Sequence, residues 1–135
     1  TYRELRAAYD SLHGADRQGN SEGWIDHRRP LQEITCKDLG DAANAGDPLA
    51  TEAFARTAHF LGIAMANAVS FSSPEAIFLM GGPAQVGEPL MSPLKAEFEH
   101  HLLRNFKGSC EIRMSQLNAN DVAILGAAAL VKMRT

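Results

Sequence analysis

Apolar and polar positions alternate with two different periods along this chain, and the switches between them mark its elements. Residues 2–12 place Leu5, Ala8, Tyr9 and Leu12 at helical spacing opposite Arg3, Glu4, Arg6 and Asp10, which predicts an amphipathic helix closed by Gly14. Residues 13–33 scatter Gly14, Gly19, Asn20, Ser21, Gly23 and Pro30 among charges, the composition of a loop. Its length of ~20 residues is unusual for a compact domain, and Trp24 and Ile25 are expected to pin it to a neighbouring surface. Thr35, with Asp38 three positions on, reads as a capping box opening a short helix over 36–45 that Gly46 closes. Asp47-Pro48 is the usual opening pair of the next helix, a capping carboxylate followed by a residue whose missing N–H leaves nothing unpaired.

That helix meets no breaker until about residue 71, a rod of ~24 residues and ~36 Å. Thr51, Glu52, Arg56 and Thr57 give its first half a polar face. The second half, from Leu61, is apolar nearly all round with small residues at 62, 64, 66 and 68, so it is expected to be buried on every side with a neighbour close against it. Asn67 is its one amide, there for a structural hydrogen bond or for a ligand.

The run Ala76-Ile77-Phe78-Leu79-Met80, between Pro74 and Gly81-Gly82, reads as a strand buried on both faces. Residues 83–91 read as a loop and 93–106 as a helix capped by Ser92, with Leu94, Phe98, Leu102 and Phe106 on one stripe. Residues 110–115 alternate Cys110, Ile112 and Met114 inward with Glu111 and Arg113 outward, a second strand. A turn at 118–121 and a closing helix over 122–133 follow, whose patch of Gly126 and Ala127 to Ala129 is expected to pack against Gly62 to Ala66.

This order predicts an α/β unit, helix-rich with a few strands. Two strands do not make a self-sufficient sheet, and a strand apolar on both faces needs neighbours on both sides. The chain is therefore expected to belong to a larger sheet, completed by further sequence or by another chain. An open edge of that kind also predicts a homo-oligomer. The absence of an initiator Met is consistent with a piece of something longer.

Composition narrows the partners more than the fold. The 135 residues make one domain's worth of chain, divided here into an N-terminal helix and variable loop (1–33) and a main portion (34–135). A formal charge of −3 gives no long-range attraction for nucleic acid or an anionic membrane, and no stretch approaches the ~18 apolar residues of a membrane span. Cys36 and Cys110 form no Cys-x-x-Cys pair and read as buried, reduced thiols of a cytoplasmic protein.

The candidate site is Gly81-Gly82. In open α/β sheets ligands collect at the carboxyl ends of the strands, and residues without Cβ let a group approach the backbone, although a tight turn alone would use the same pair. No catalytic set accompanies it: Ser70, Ser72 and Ser73 lack a nucleophile elbow, and neither a phosphate loop nor a dinucleotide fingerprint is present. His100 and His101 are adjacent, ~100° apart on a helix, so they do not form a two-ligand metal pair and read as solvent-exposed. No His/Cys/carboxylate group shows metal-ligand spacing in the sequence.

Five blocks in register carry a family resemblance: Ile34-Thr-Cys-Lys-Asp-Leu, Ala-Asn-Ala-Gly-Asp-Pro-Leu-Ala50, Leu61-Gly-Ile-Ala-Met-Ala-Asn, Ser73-Pro-Glu-Ala-Ile-Phe-Leu-Met-Gly-Gly82 and Leu125-Gly-Ala-Ala-Ala-Leu130. Together they resemble the C-terminal part of the ROK family (repressors, open reading frames and sugar kinases), bacterial glucokinases among them. The resemblance implies part of a ribonuclease-H-like, actin/hexokinase-type ATPase domain, with residues 1–33 following the family's zinc-binding loop and 122–133 as a connecting helix. It makes Gly81 and Gly82 the adenosine motif, with Ala84 in the same loop. It implies ATP with Mg²⁺ as cofactor and nucleotide and hexose as ligands of the full-length parent. The family's phosphate loop, its catalytic Asp, its sugar-contacting Glu and His and its Cys-rich zinc loop have no counterpart in these residues. Pro83 stands where the family more often has a third Gly or an aliphatic residue. The resemblance implies either a sugar kinase, a repressor that senses a sugar or dimerises through the same domain, or a non-catalytic remnant.

Overall fold

The long helix beginning at Pro48 is the axis on which the other described helices pack. The computed structural model describes residues 2–13, 25, 29–115, 127–129 and 131. In chain order the elements are α1 (Tyr2–His13), α2 (Cys36–Asn44), α3 (Pro48–Ser72), β1 (Ala76–Leu79), α4 (Glu88–His101) and β2 (Glu111–Met114), with short 3-10 turns at Leu31–Glu33, Pro83–Val86 and Arg104–Phe106. Most of the expected loop over 13–33, including Trp24, lies outside the described residues, as does most of the closing helix.

The local signals act as their chemistry requires. Thr35 Oγ1 accepts from the Asp38 N–H at 3.2 Å, and the Asp38 carboxylate accepts from the Thr35 N–H at 2.9 Å, so both halves of the capping box form. These bonds hold the Asp38 carboxyl below its ordinary value, the Thr35 backbone N–H contributing most. Asp47 is completely buried. Its Oδ1 accepts from Leu49 N and Ala50 N at 2.9 and 3.1 Å, and its Oδ2 accepts from Ile25 N at 3.2 Å. One carboxylate thus caps α3 and fastens the segment through Ile25 to the core, as the sequence suggested for that residue. A buried carboxyl group of this kind is tolerated because each oxygen has N–H partners.

The core is the seam of α3 with α4. Leu90, Met91, Leu94, Phe98 and Leu102 bury one stripe of α4 against Phe54, Ala58, Met65, Ala66 and Val69 of α3. Full burial of each large side chain contributes about 1.5–3 kcal/mol. Gly62 sets the distance: a Cβ there would fall 2.7 Å from Glu97 Cβ and 2.9 Å from Phe98 N. The small-residue face of α3 receives α4 at Gly62, and Ala127, Ala128 and Ala129, the described residues of the patch expected to pack there, are exposed.

β1 and β2 pair in parallel, Ala76 with Glu111 through Leu79 with Met114, with α4 as the crossover between them. β2 alternates as expected, Ile112 and Met114 inward and Glu111 and Arg113 outward, where their side chains pair at 2.7 Å.

Several expectations are corrected. α4 starts at Glu88, not at 93, because Gly87 at φ 83° turns the chain directly into the helix and Pro89 lies in its first turn; Pro93 sits inside the helix and Ser92 caps nothing. The helix stops at His101, and Phe106 reaches the core from a 3-10 turn. α3 is not buried on every side: Phe60, Ala64, Ala68 and Phe71 form an exposed stripe on it, Phe71 being 93% exposed, because the elements packed on α3 cover its other face. Phe78 in β1 is 56% exposed, since it shares with Arg113 the face of the sheet that no described element covers, while Ile77 and Leu79 face the core. Asn67 is exposed and its side-chain amide makes no hydrogen bond among the described residues, so the structural bond expected of it is not formed. Both cysteines are free, but Cys36 is exposed at the first position of α2 while Cys110 is buried, which pushes the Cys110 thiol up.

Candidate functional site

The two strands run in one direction, so their carboxyl ends share an edge, and Gly81-Gly82 lies on it. The ladder ends where Ser115 N donates to Leu79 O at 2.8 Å. Two residues after Leu79, Gly81 adopts φ +93°, a conformation that side-chain-bearing residues rarely take, and the chain leaves the sheet. Gly82, at φ −56° and ψ −49°, opens the 3-10 turn Pro83–Val86, closed by Gln85 N donating to Gly82 O at 3.0 Å. Ala84 is carried in that turn. A Cβ on Gly81 or Gly82 would meet nothing within 4 Å among the described residues, which leave the space above both backbones open.

The turn is held from behind by α2. Asn44 Nδ2 donates to Gly40 O at 2.9 Å and to Val86 O at 3.1 Å, and Val86 packs so closely on Gly40 that a Cβ there would lie 3.0 Å from its Cγ2. The loop therefore rests on a fixed helix, a condition for any site made mainly of backbone. Nothing among the described residues at this edge supplies a nucleophile paired with a base, and the arrangement suits binding of a flat, largely uncharged group. A cavity of about 320 Å³ lined by Lys95, Phe98, Cys110, Glu111 and Ile112 opens at the opposite end of the strands, where ligands of open α/β sheets do not usually bind.

A second cluster escaped the sequence. Glu97 and His101 are one turn apart on α4, and the α3–α4 crossing brings His59 of α3 beside them. His59 Nδ1 lies 2.8 Å from Glu97 Oε2, a hydrogen bond donated by the Nδ1–H tautomer, and His101 Nε2 lies 3.4 Å from the same oxygen. The bond to His59 holds the Glu97 carboxyl below its ordinary value against the desolvation that raises it. Glu97 and His101 stand i, i+4 in the sequence, a spacing that the expectation of no metal-ligand group passed over, and His59, 38 positions away, gives no sequence signal at all.

The arrangement of elements defines the class. The fold is that of the actin/hexokinase-like sugar kinases: it superposes on a putative sugar kinase from Cytophaga hutchinsonii with TM-score 0.75 over 97% of this chain and 40% of that one, at 24% identity. It superposes on a ROK family glucokinase from Streptomyces griseus, solved in complex with glucose and AMPPNP, with TM-score 0.69 over 96% of this chain and 42% of that one, at 26% identity. The ROK family model matches residues 8–134, and the chain belongs to that family. It is 35% identical over 101 residues to a glucokinase of Halalkalibacterium halodurans, covering 75% of this chain and 30% of that protein. It is 30% identical over 105 residues to the DNA-binding transcriptional dual regulator NagC of Escherichia coli, covering 78% of this chain and 25% of that protein. The chain thus spans between a quarter and a third of the length of these two relatives.

Proposed function

We propose that this chain is the C-terminal portion of an ATP-dependent hexose kinase and that it forms the adenosine side of the nucleotide pocket. The observation that carries the reading is the Gly81-Gly82 turn: two residues without side chains at the carboxyl edge of a parallel pair, with open space above their backbones. A purine and its ribose are flat enough to lie on such a surface, whereas any side chain there would hold them off. Asn44 and Gly40 keep the turn in place through Val86. The glucokinase neighbour solved with AMPPNP supports nucleotide use.

In the reaction so assigned, a hexose hydroxyl oxygen attacks the γ-phosphorus of ATP, the bond from that phosphorus to the β,γ-bridging oxygen breaks, and the hydroxyl proton passes to a base. ADP and a sugar phosphate leave. Mg²⁺, when bound, neutralises charge on the phosphates. This chain's residues hold and orient the adenosine end, and the base and the phosphate cradle belong to the remainder of the parent. The open edge of β1 and the bare stripe of α3 offer surface for that remainder, or for a second copy. A cytoplasmic location suits a kinase of this kind.

The test is a coupled assay of the full-length parent with a panel of hexoses, comparing wild type and Gly82→Val. The variant is expected to raise the KM for ATP about tenfold or more, a loss of ~1.4 kcal/mol, and to leave the KM for sugar unchanged. An unchanged KM for ATP would remove the turn from the pocket. The match to the regulator NagC favours a second reading, a sugar-responsive repressor domain. A parent that binds operator DNA and shows no hexose-dependent ATP turnover would replace the kinase reading with that one.

A further inference from the structure

The side chains of His59, Glu97 and His101 converge across the α3–α4 seam, and we infer that they form a divalent cation site that takes Zn²⁺. One donor atom from each, a ring nitrogen from the two histidines and a carboxylate oxygen from Glu97, lies within 4.8 Å of the other two. Zn²⁺ bound at 2.0–2.2 Å in a tetrahedral arrangement needs its ligands roughly 3.3–3.5 Å apart. His101 Nε2 and Glu97 Oε2 already stand at 3.4 Å, and the 2.8 Å between His59 Nδ1 and Glu97 Oε2 opens to that range by a small side-chain rotation. Two imidazoles and one carboxylate make a three-ligand set that leaves a fourth position for water.

The state of His101 points the same way. Its Nε2 is shielded from solvent and, although Glu97 Oε2 is 3.4 Å away, makes no hydrogen bond, so a ring nitrogen within the cluster is left without a hydrogen-bond partner. Buried polar atoms are normally satisfied, and a cation at the centre of the triangle would satisfy this one. The side chains are between 30% and 46% exposed, which gives an ion a path in. Binding exchanges the Nδ1–H···O bond of His59 for an Nδ1–metal bond, the ring proton moving to Nε2. Both helices are rigid where they meet, since Gly62 locks α3 against Glu97 and Phe98 one turn beyond His59. These donors are imidazole and carboxylate from two helices, unlike the Cys-rich loop that the family uses for zinc, and they lie on the helix seam and not on the Gly81-Gly82 turn. The inference stands without the kinase reading.

Calorimetric titration of Zn²⁺ into the protein tests it, in a Cys36→Ser background because that exposed thiol is a competing ligand. One equivalent is expected to be lost, or weakened by more than the ~10–100-fold that removing an outer-shell partner costs, in each of His59→Ala, Glu97→Gln and His101→Ala. His100→Ala is expected to bind as the wild type does, since His100 is outside the cluster. Zn²⁺ is also expected to raise the thermal midpoint of the wild type and not of Glu97→Gln, which preserves the shape of the seam. Equal affinity in all the variants, or no one-to-one binding in a wild type shown by circular dichroism to be folded, would overturn the site.

Discussion

Gly62 and Glu97 stand so close that a Cβ on the glycine would come within 2.7 Å of the Cβ of the glutamate. The next nearest atoms are backbone, Phe98 N at 2.9 Å and Glu97 C at 3.0 Å, so a side chain at 62 cannot be accommodated by one rotamer change. Gly62→Ala gains about 1 kcal/mol of helix propensity and loses about 1–3 kcal/mol to overpacking. A net loss of about 1 kcal/mol is expected in urea unfolding, and a stabilised variant would show that the helices are not in contact there.

Asp47 satisfies three backbone N–H groups from a position with no solvent. Asp47→Ala removes the cap of α3, about 1–2 kcal/mol, and strands the Ile25 N–H as well. A total loss of about 2–3 kcal/mol is expected as a lower denaturation midpoint with unchanged slope. Asp47→Asn, which keeps one acceptor, is expected to fall between.

The bonds from Thr35, its backbone N–H first, hold the Asp38 carboxyl below its ordinary value in the folded chain. A carboxyl lowered on folding contributes stability that is complete above its unfolded value and is lost as the pH falls through its folded one. Carbon-detected titration of Asp38 is therefore expected to give a midpoint under 3.8, and Asp38→Asn to flatten the stability profile between about pH 4 and that midpoint. A midpoint at or above the ordinary value would mean that the capping box opens in solution.

Thiol chemistry separates the two cysteines. Burial and the charge of Glu111 raise the Cys110 thiol, while Cys36 is exposed. Alkylation of the folded protein near pH 8 is expected to modify Cys36 only, and in denaturant both. Equal labelling rates in the native state would place Cys110 on the surface.

The elements were legible where local chemistry decides them. Thr35 with Asp38 and Asp47 with Pro48 announce helices because caps are local bonds, and the alternation from Cys110 to Met114 announces a strand because it is half-buried. Pro93 misled because a proline opens a helix or rides within its early turns with the same sequence appearance, and only the φ of Gly87 distinguishes the two. The apolar second half of α3 predicts burial all round, but hydrophobicity states only that a face needs cover, not that these residues provide it. Gly81-Gly82 was visible as a turn; the open space above it is a property of three dimensions. His59 meets Glu97 only because Gly62 lets two helices touch, a relation that no spacing along the chain encodes.

The parallel pairing of β1 with β2 also orders events in time. A hairpin can close as soon as its second strand exists, whereas β1 leaves its pairing edge empty until α4 and the turns after it have been synthesised. The α3–α4 contact joins elements nearer in sequence and closes the shorter loop, so it forms first and the strands register on it. Amide protection in pulse-labelled refolding would then rise in α3 and α4 before Ile112, and the reverse order would place the sheet first. In that order the helix pair is the template, and among the described elements the edge that carries Gly81-Gly82 is expected to take its shape last.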